Sequence, residues 1–233
     1  MTAVYSIAEN TADVKERIAR AAEKAGRSAG EILLIAATKT QPASAVKEAI
    51  SAGADASGEN RAGELAEKKT LGAYNGAPVH FIGHLQKNKA KSVVFEADMI
   101  QSVDSVELLE LISRIAEAGG IRRDILLEVN IAKETGKFGF DPAELPRVLE
   151  TCGRYCGVKI KGLMAIPPIA LRPGDNERYF SDMQKLYVDN GAKKYDNVHM
   201  DFLSMGMSGD FESAVLFGSN MVRIGSAIFG PRL

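Results

Sequence analysis

The chain alternates short apolar runs with amphipathic stretches, and this rhythm restricts its fold more than any other feature. Ile32-Leu33-Leu34-Ile35-Ala36-Ala37 is a continuous apolar run of strand length, as expected for a strand buried on both faces. Helical spacing precedes it at residues 7–26, with Ile7, Val14, Ile18, Ala21 and Ala22 on one face. It follows again from Pro42, which suits a first helical turn, to Ala52, with Gly53 as the stop. The unit then recurs, with expected strands at 54–57, 79–83, 99–103, 125–130, 158–164, 199–204 and 221–224. Helices are expected between them: from Asn60 to about Leu71, from Gln86 to Val94, from an Asp104 cap with Glu107 as box residue, from Asp141-Pro142-Ala143-Glu144, from Glu177 to Val188, and over 209–217. Strands separated by helices imply parallel pairing with crossovers. Eight units of about 25–30 residues favour an α/β fold of the (β/α)8 barrel type over an open sheet. The second and fourth strands carry the weakest signal. No linker or composition shift divides the chain, so residues 1–233 read as one domain with a leading helix.

In such a barrel the chemistry sits where strands end. Those ends offer Lys39; Glu59 and Asn60; Gly83 and His84; Asn130; Met164; Ser204 to Ser208; and Gly225 with Ser226. Lys39 follows six apolar residues. A lysine at a barrel mouth is partly desolvated, which favours the neutral amine that attacks aldehydes; the competing reading is a solvated lysine beside a helix start. In Met221-Val222-Arg223-Ile224-Gly225-Ser226, Val222 and Ile224 face one way and Arg223 the other. If that side is buried, Arg223 needs a partner, and Gly-Ser turning into a short helix offers donors to a phosphate. The plain alternative is a last strand with a solvent-facing arginine.

Ser204-Met205-Gly206-Met207-Ser208-Gly209-Asp210 approaches a nucleophile elbow, but Asp210 stands where the pattern needs glycine. An anion-binding turn fits better, with Ser208 as helix N-cap and phosphate ligand. The methionines either pack or line a flat ring. His80 lies within a strand and reads as packing; His84 is either a site residue or a loop hydrogen-bonder. No close ligand spacing suggests a metal. Cys152 and Cys156, four apart, read as free thiols near a helix end, with a redox role as the minor alternative.

Composition closes other routes. A net charge of -1 over 233 residues, with both signs interspersed, provides no field for nucleic acid or anionic membrane. The lysines of 86–91 lack interleaved aromatics and read as a solvated helix face. No apolar run approaches a membrane span, and no signal peptide is evident, so the cytoplasm is the expected compartment.

Six ordered stretches together resemble one family: Ala37-Thr38-Lys39-Thr40, Gly58-Glu59-Asn60-Arg61, His80 to Gln86, Gly162-Leu163-Met164, Leu203 to Ser208, and Val222-Arg223-Ile224-Gly225. The chain resembles the pyridoxal phosphate homeostasis proteins, single-domain relatives of the alanine racemase barrel (fold-type III). The resemblance covers nearly the whole chain. It implies pyridoxal 5'-phosphate (PLP) held on Lys39 as an internal aldimine, and Arg223 facing the pyridine nitrogen. It also implies Ser208, Gly225 and Ser226 on the phosphate, Asn60 near the ring oxygen, and Met207 in the ring's wall. Two places depart from the pattern: Ala56-Ser57, where an aromatic is common, and the 135–139 stretch.

An arginine opposite the pyridine nitrogen disfavours its protonation and weakens the ring as an electron sink. The resemblance implies a PLP carrier in vitamin B6 and amino-acid homeostasis, with apo PLP enzymes as recipients and no turnover, and a barrel of this small size is expected as a cytoplasmic monomer. A fold-type III amino-acid racemase is the alternative.

Overall fold

The computed structural model describes residues 6–172 and 174–231. Eight parallel strands close a barrel in chain order, β1-β2-β3-β4-β5-β6-β7-β8. They are β1 Leu33–Ala37, β2 Ala56–Glu59, β3 Val79–Phe81, β4 Met99–Val103, β5 Arg123–Glu128, β6 Val158–Met164, β7 Val198–Ser204 and β8 Met221–Ile224. The barrel closes through β1 and β8, where Ile35 lies opposite Arg223. The crossovers are α2 Ala43–Ser51, α3 Ala62–Thr70, α4 Ala90–Glu96, α5 Val106–Ala118, α6 Leu145–Glu150, α7 Glu177–Gly191 and α8 Phe211–Leu216, with α1 Ile7–Lys24 ahead and the single turn α9 Ser226–Phe229 behind. The eight-strand barrel expected from the sequence is the fold.

The alternation of strand side chains builds two cores. Ile35, Met99, Leu126, Met164 and Met221 form one buried cluster, with Leu33 and Phe202 packed against it. Val222 and Ile224 face the other way. They pack with Val14, Ile18 and Ala22 of α1, which lies over the closing seam beside Phe211 and Ile228. Val14 and Ile18 are buried, and each contributes roughly 1.5–3 kcal/mol through the apolar area it removes from water. Ser6 caps α1 reciprocally with Glu9, as a capping box requires. Gly162, at φ +144° inside β6, sits where a Cβ would lie 1.9 Å from the Phe202 carbonyl oxygen, so only glycine lets β6 and β7 meet there.

Several expected boundaries move. β2 begins later and runs through Gly58 and Glu59, while β5 ends at Glu128 and leaves Asn130 in a loop. The 86–94 helix is a 3-10 turn, Lys87–Lys89, leading into α4. The cap of α5 is Ser105, which accepts from Leu108 N–H, because Asp104 is engaged by His84. Asp141 to Glu144 forms a turn in which Asp141 accepts from Ala143 N–H, and α6 starts only at Leu145. The two misplaced caps have different causes: Asp104 is taken by a cross-loop histidine, and Asp141 by a tight turn that the same Asp-to-Glu spacing fits as well as a helix start. Among the described residues, no helix is long and apolar enough to cross a membrane. Cys152 is buried and Cys156 exposed, both as thiols, and burial pushes the Cys152 thiol up to about 12.

Candidate functional site

Strand ends at the C-terminal rim bring Lys39, Met207, Ser208, Arg223, Gly225 and Ser226 to one cavity of about 370 Å³. Asn60 lines a neighbouring cavity of about 330 Å³ with Arg61, Phe81 and His84. Gly83 sets that approach, since a Cβ there would lie 2.5 Å from the Asn60 carbonyl oxygen. The Asn60 side-chain oxygen is buried without a hydrogen-bond partner, which marks it as an atom awaiting a donor.

Lys39 sits on a turn held at both neighbours. Thr38 donates its hydroxyl to Glu59 Oε1 at 2.6 Å. Lys68 Nζ donates to the same carboxylate oxygen at 2.8 Å and to the Thr38 carbonyl at 2.7 Å. Glu59, Lys68 and Thr38 are all buried. On the other side, Thr40 adopts φ +62°, a left-handed conformation costing about 1–3 kcal/mol for a β-branched residue. Its N–H donates to Glu64 Oε2 at 2.7 Å. Backbone strain at the base of one lysine, offset by Glu64 on one side and the buried Glu59–Lys68 pair on the other, is a construction for holding that lysine's direction.

Arg223 points into the barrel, 4% exposed. Its partners are Ser204 Oγ at 2.5 Å and the Ala165 carbonyl at 2.9 Å. Burial pulls the guanidinium down to about 10, while Glu128 and Asp210 hold it up, so it stays charged at neutral pH. Glu128, at the end of β5, shows the converse. Burial and the nearby Asp104 raise its carboxyl to about 7, and Arg223 opposes the rise.

Ser208 corrects the expected helix cap. The N-cap of α8 is Asp210; the Ser208 hydroxyl instead accepts from Gly225 N–H at 3.2 Å and Ala227 N–H at 3.1 Å. Asp210, the residue that spoils the elbow pattern, accepts from Met207 N–H at 2.7 Å and from Asn176 Nδ2 at 2.8 Å. It thereby fixes the 207–210 turn. His84 lies outside the Lys39 cavity, stacked on Phe138 with ring centroids 3.5 Å apart, and its Nδ1 is 3.0 Å from Asp104.

The alanine racemase N-terminal domain family matches residues 10–232. The pyridoxal phosphate homeostasis protein of Escherichia coli K12 is 38% identical over 230 residues, covering 97% of each chain. The chain belongs to the pyridoxal phosphate homeostasis protein family. Two solved structures are similar throughout. An unknown protein from Bifidobacterium adolescentis shares 39% identity at a TM-score of 0.88, covering 96% of this chain and 94% of its own. PipY of Synechococcus elongatus PCC7942, solved with PLP bound, shares 32% identity at a TM-score of 0.81, covering 97% of this chain and all of its own.

In this member of the family, sequence reasoning missed two buried groups that flank the site. One is the Glu59–Lys68 pair under Lys39. The other is the set of polar side chains behind Arg223: Ser204, Gln101 and His80. The available signal was a glutamine in the middle of Met-Ile-Gln-Ser-Val, a strand buried at every position, since a fully buried amide needs partners.

Proposed function

We propose that this single-domain barrel binds PLP covalently and reversibly through Lys39, and holds or delivers it without turning over a substrate. The observation that carries the reading is the gathering of Lys39, Arg223, Ser208, Gly225, Ser226 and Met207 around one cavity. Its volume of about 370 Å³ falls within the usual range for small-ligand sites. The donor set suits the group: an amine, a buried guanidinium, and the Ser208 and Ser226 hydroxyls, of which Ser208 accepts from Gly225 and Ala227 N–H and keeps its own proton to donate. The homeostasis name of the relatives and the PLP held by PipY support the same reading.

Bound PLP supplies an aldehyde and an electron-accepting ring. In this reading the Lys39 amine is the point of attachment. Arg223 donates toward the pyridine nitrogen and disfavours its protonation, which weakens the support for carbanion chemistry. Ser208, Ser226 and Gly225 take the phosphate, Met207 forms part of the ring's wall, and Asn60 lies toward the ring oxygen. The setting we propose is a cytoplasmic monomer with apo PLP enzymes as recipients.

The test loads purified protein with PLP, counts bound equivalents, and then offers both an apo PLP enzyme and an L-amino acid. A carrier binds one equivalent, activates the apo-enzyme and leaves the amino acid unchanged. Racemisation that disappears in Lys39→Ala overturns the carrier reading in favour of an enzyme.

A further inference from the structure

Arg223 is the cationic end of a longer array. Its NH1 donates to Ser204 Oγ at 2.5 Å. Ser204 Oγ donates to Gln101 Oε1 at 2.7 Å. Gln101 Nε2 lies 2.8 Å from His80 Nδ1 and donates to Met221 Sδ at 3.1 Å. Ser204 and Gln101 are 0% exposed and His80 is 6% exposed, so water does not complete the set.

A guanidinium can only donate. The Ser204 oxygen must therefore accept from Arg223, and its own proton is left for Gln101 Oε1. The hydroxyl can accept a second bond, so the amide is fixed at its other end: Met221 Sδ, 3.1 Å away, can only accept, which places the NH2 toward Met221 and His80 and the carbonyl toward Ser204. The NH2 has two protons, and His80 Nδ1 and Met221 Sδ are its two acceptors. Nδ1 must then be unprotonated, so the ring carries its proton on Nε2. The assignments are tied between two fixed ends, a guanidinium that only donates and a thioether that only accepts. In this sense of direction the Ser204 proton and both amide protons have acceptors; reversing it leaves a serine proton without this acceptor and turns the amide oxygen onto the Met221 sulfur.

We infer that Gln101 and Ser204, ending on neutral Nε2–H His80, are positioning residues that fix the orientation of Arg223 at the cavity. Two N–H groups of the guanidinium are committed, to Ser204 and to the Ala165 carbonyl, and these two anchors define its plane. The charge is thus presented in a set direction with little reorganisation. Burial lowers His80 to about 4, so the accepting end of the array persists at neutral pH. The consequence for PLP rests on the reading that Arg223 meets the pyridine ring; the array itself does not.

The test has one arm without PLP and one with it. In the first, 15N-histidine NMR on the PLP-free protein reads the His80 tautomer. The wild type shows the neutral Nε2–H form from about pH 6 to about pH 8. Gln101→Glu replaces the facing NH2 with a carboxylate oxygen, which converts His80 to a form protonated on Nδ1. A wild-type Nδ1–H tautomer, or a His80 signal unchanged in Gln101→Glu, overturns the array. In the second arm, Ser204→Ala, which frees one guanidinium anchor, weakens PLP binding about tenfold or more, and Ser204→Thr restores it. Wild-type affinity in Ser204→Ala, or no rescue by threonine, overturns the positioning role. If Ser204→Ala does not fold, the tautomer of Gln101→Glu and the affinity of Ser204→Thr decide. Wild-type protein that binds no PLP would defeat the proposed function, while the NMR arm would still judge the array.

Discussion

Replacing Lys68 with methionine tests how Lys39 is held. The ammonium donates to Glu59 and to the Thr38 carbonyl at 2.8 and 2.7 Å, and the two side chains are 8% and 0% exposed. Methionine keeps most of the volume but removes the charge. Glu59 would keep only neutral hydroxyls beside it, Thr38 and Tyr74, for a carboxylate that is fully buried. Its Oε2 already lacks a hydrogen-bond partner. Breaking a buried pair from one side costs about 3–5 kcal/mol, mostly because the surviving charge is uncompensated. Removing both charges avoids that penalty, so Glu59→Gln with Lys68→Met should lose only about 1–2 kcal/mol relative to wild type. Urea denaturation of the four proteins in a double-mutant cycle at neutral pH gives the coupling directly. A Lys68→Met loss below about 1 kcal/mol, or a double variant no more stable than the single, would refute the reasoning. In PLP-binding measurements the double variant should fold yet retain cofactor less well, because Thr38 has lost the partners that orient the turn before Lys39.

Other consequences are open to measurement. His80 is held neutral, at about 4 against an ordinary 6.5. The unfolded chain therefore takes up a proton first, and stability falls by about 3 kcal/mol as pH drops from 6.5 through 4. Glu128 acts in the opposite sense. Raised to about 7 from 4.5, it stabilises the protonated fold at low pH, and that contribution fades as pH rises through 7. Denaturation midpoints of Glu128→Gln against pH should accordingly show the His80 slope without this counterweight; an unchanged profile would contradict the Glu128 assignment, and a variant profile flat between pH 6.5 and 4 would contradict the His80 one. Gly162→Ala places a methyl against the Phe202 carbonyl at φ +144°, and thermal unfolding should show a loss of at least about 2 kcal/mol. The Ser208→Ala, Ser226→Ala double variant should lose affinity for PLP more than for unphosphorylated pyridoxal; an equal loss of both removes the phosphate role.

The barrel was legible because each of its units carries its own signal. Ile32 to Ala37 reads as a buried strand without help from the rest of the chain, and the helices betray themselves by spacing. The strand-end rule then selects the rim residues by position alone, which is how Lys39, Ser208, Gly225 and Ser226 emerge together, while Arg223 emerges from the alternation of side chains in the last strand. Caps and edges were less legible, because Asp104 and Asp141 serve a cross-loop histidine and a local turn as readily as a helix. The interior polar array was legible only as separate residues, a glutamine inside an apolar strand and a serine at a strand end, and not as a connected set. Gln101 and Ser204 are 103 positions apart, and Gln101 and Met221 are 120 apart. Only closure of the barrel makes them neighbours. Nothing in the local spacing of Lys68 announces that α3 buries it against Glu59.

The most direct test of the account is where PLP attaches. Protein incubated with PLP, treated with borohydride and digested should carry the reduced cofactor on the peptide containing Lys39, in a stoichiometric amount, and Lys39→Ala should carry none. Label spread over surface lysines, or retained in Lys39→Ala, would contradict the claim that this cavity and this lysine hold the cofactor.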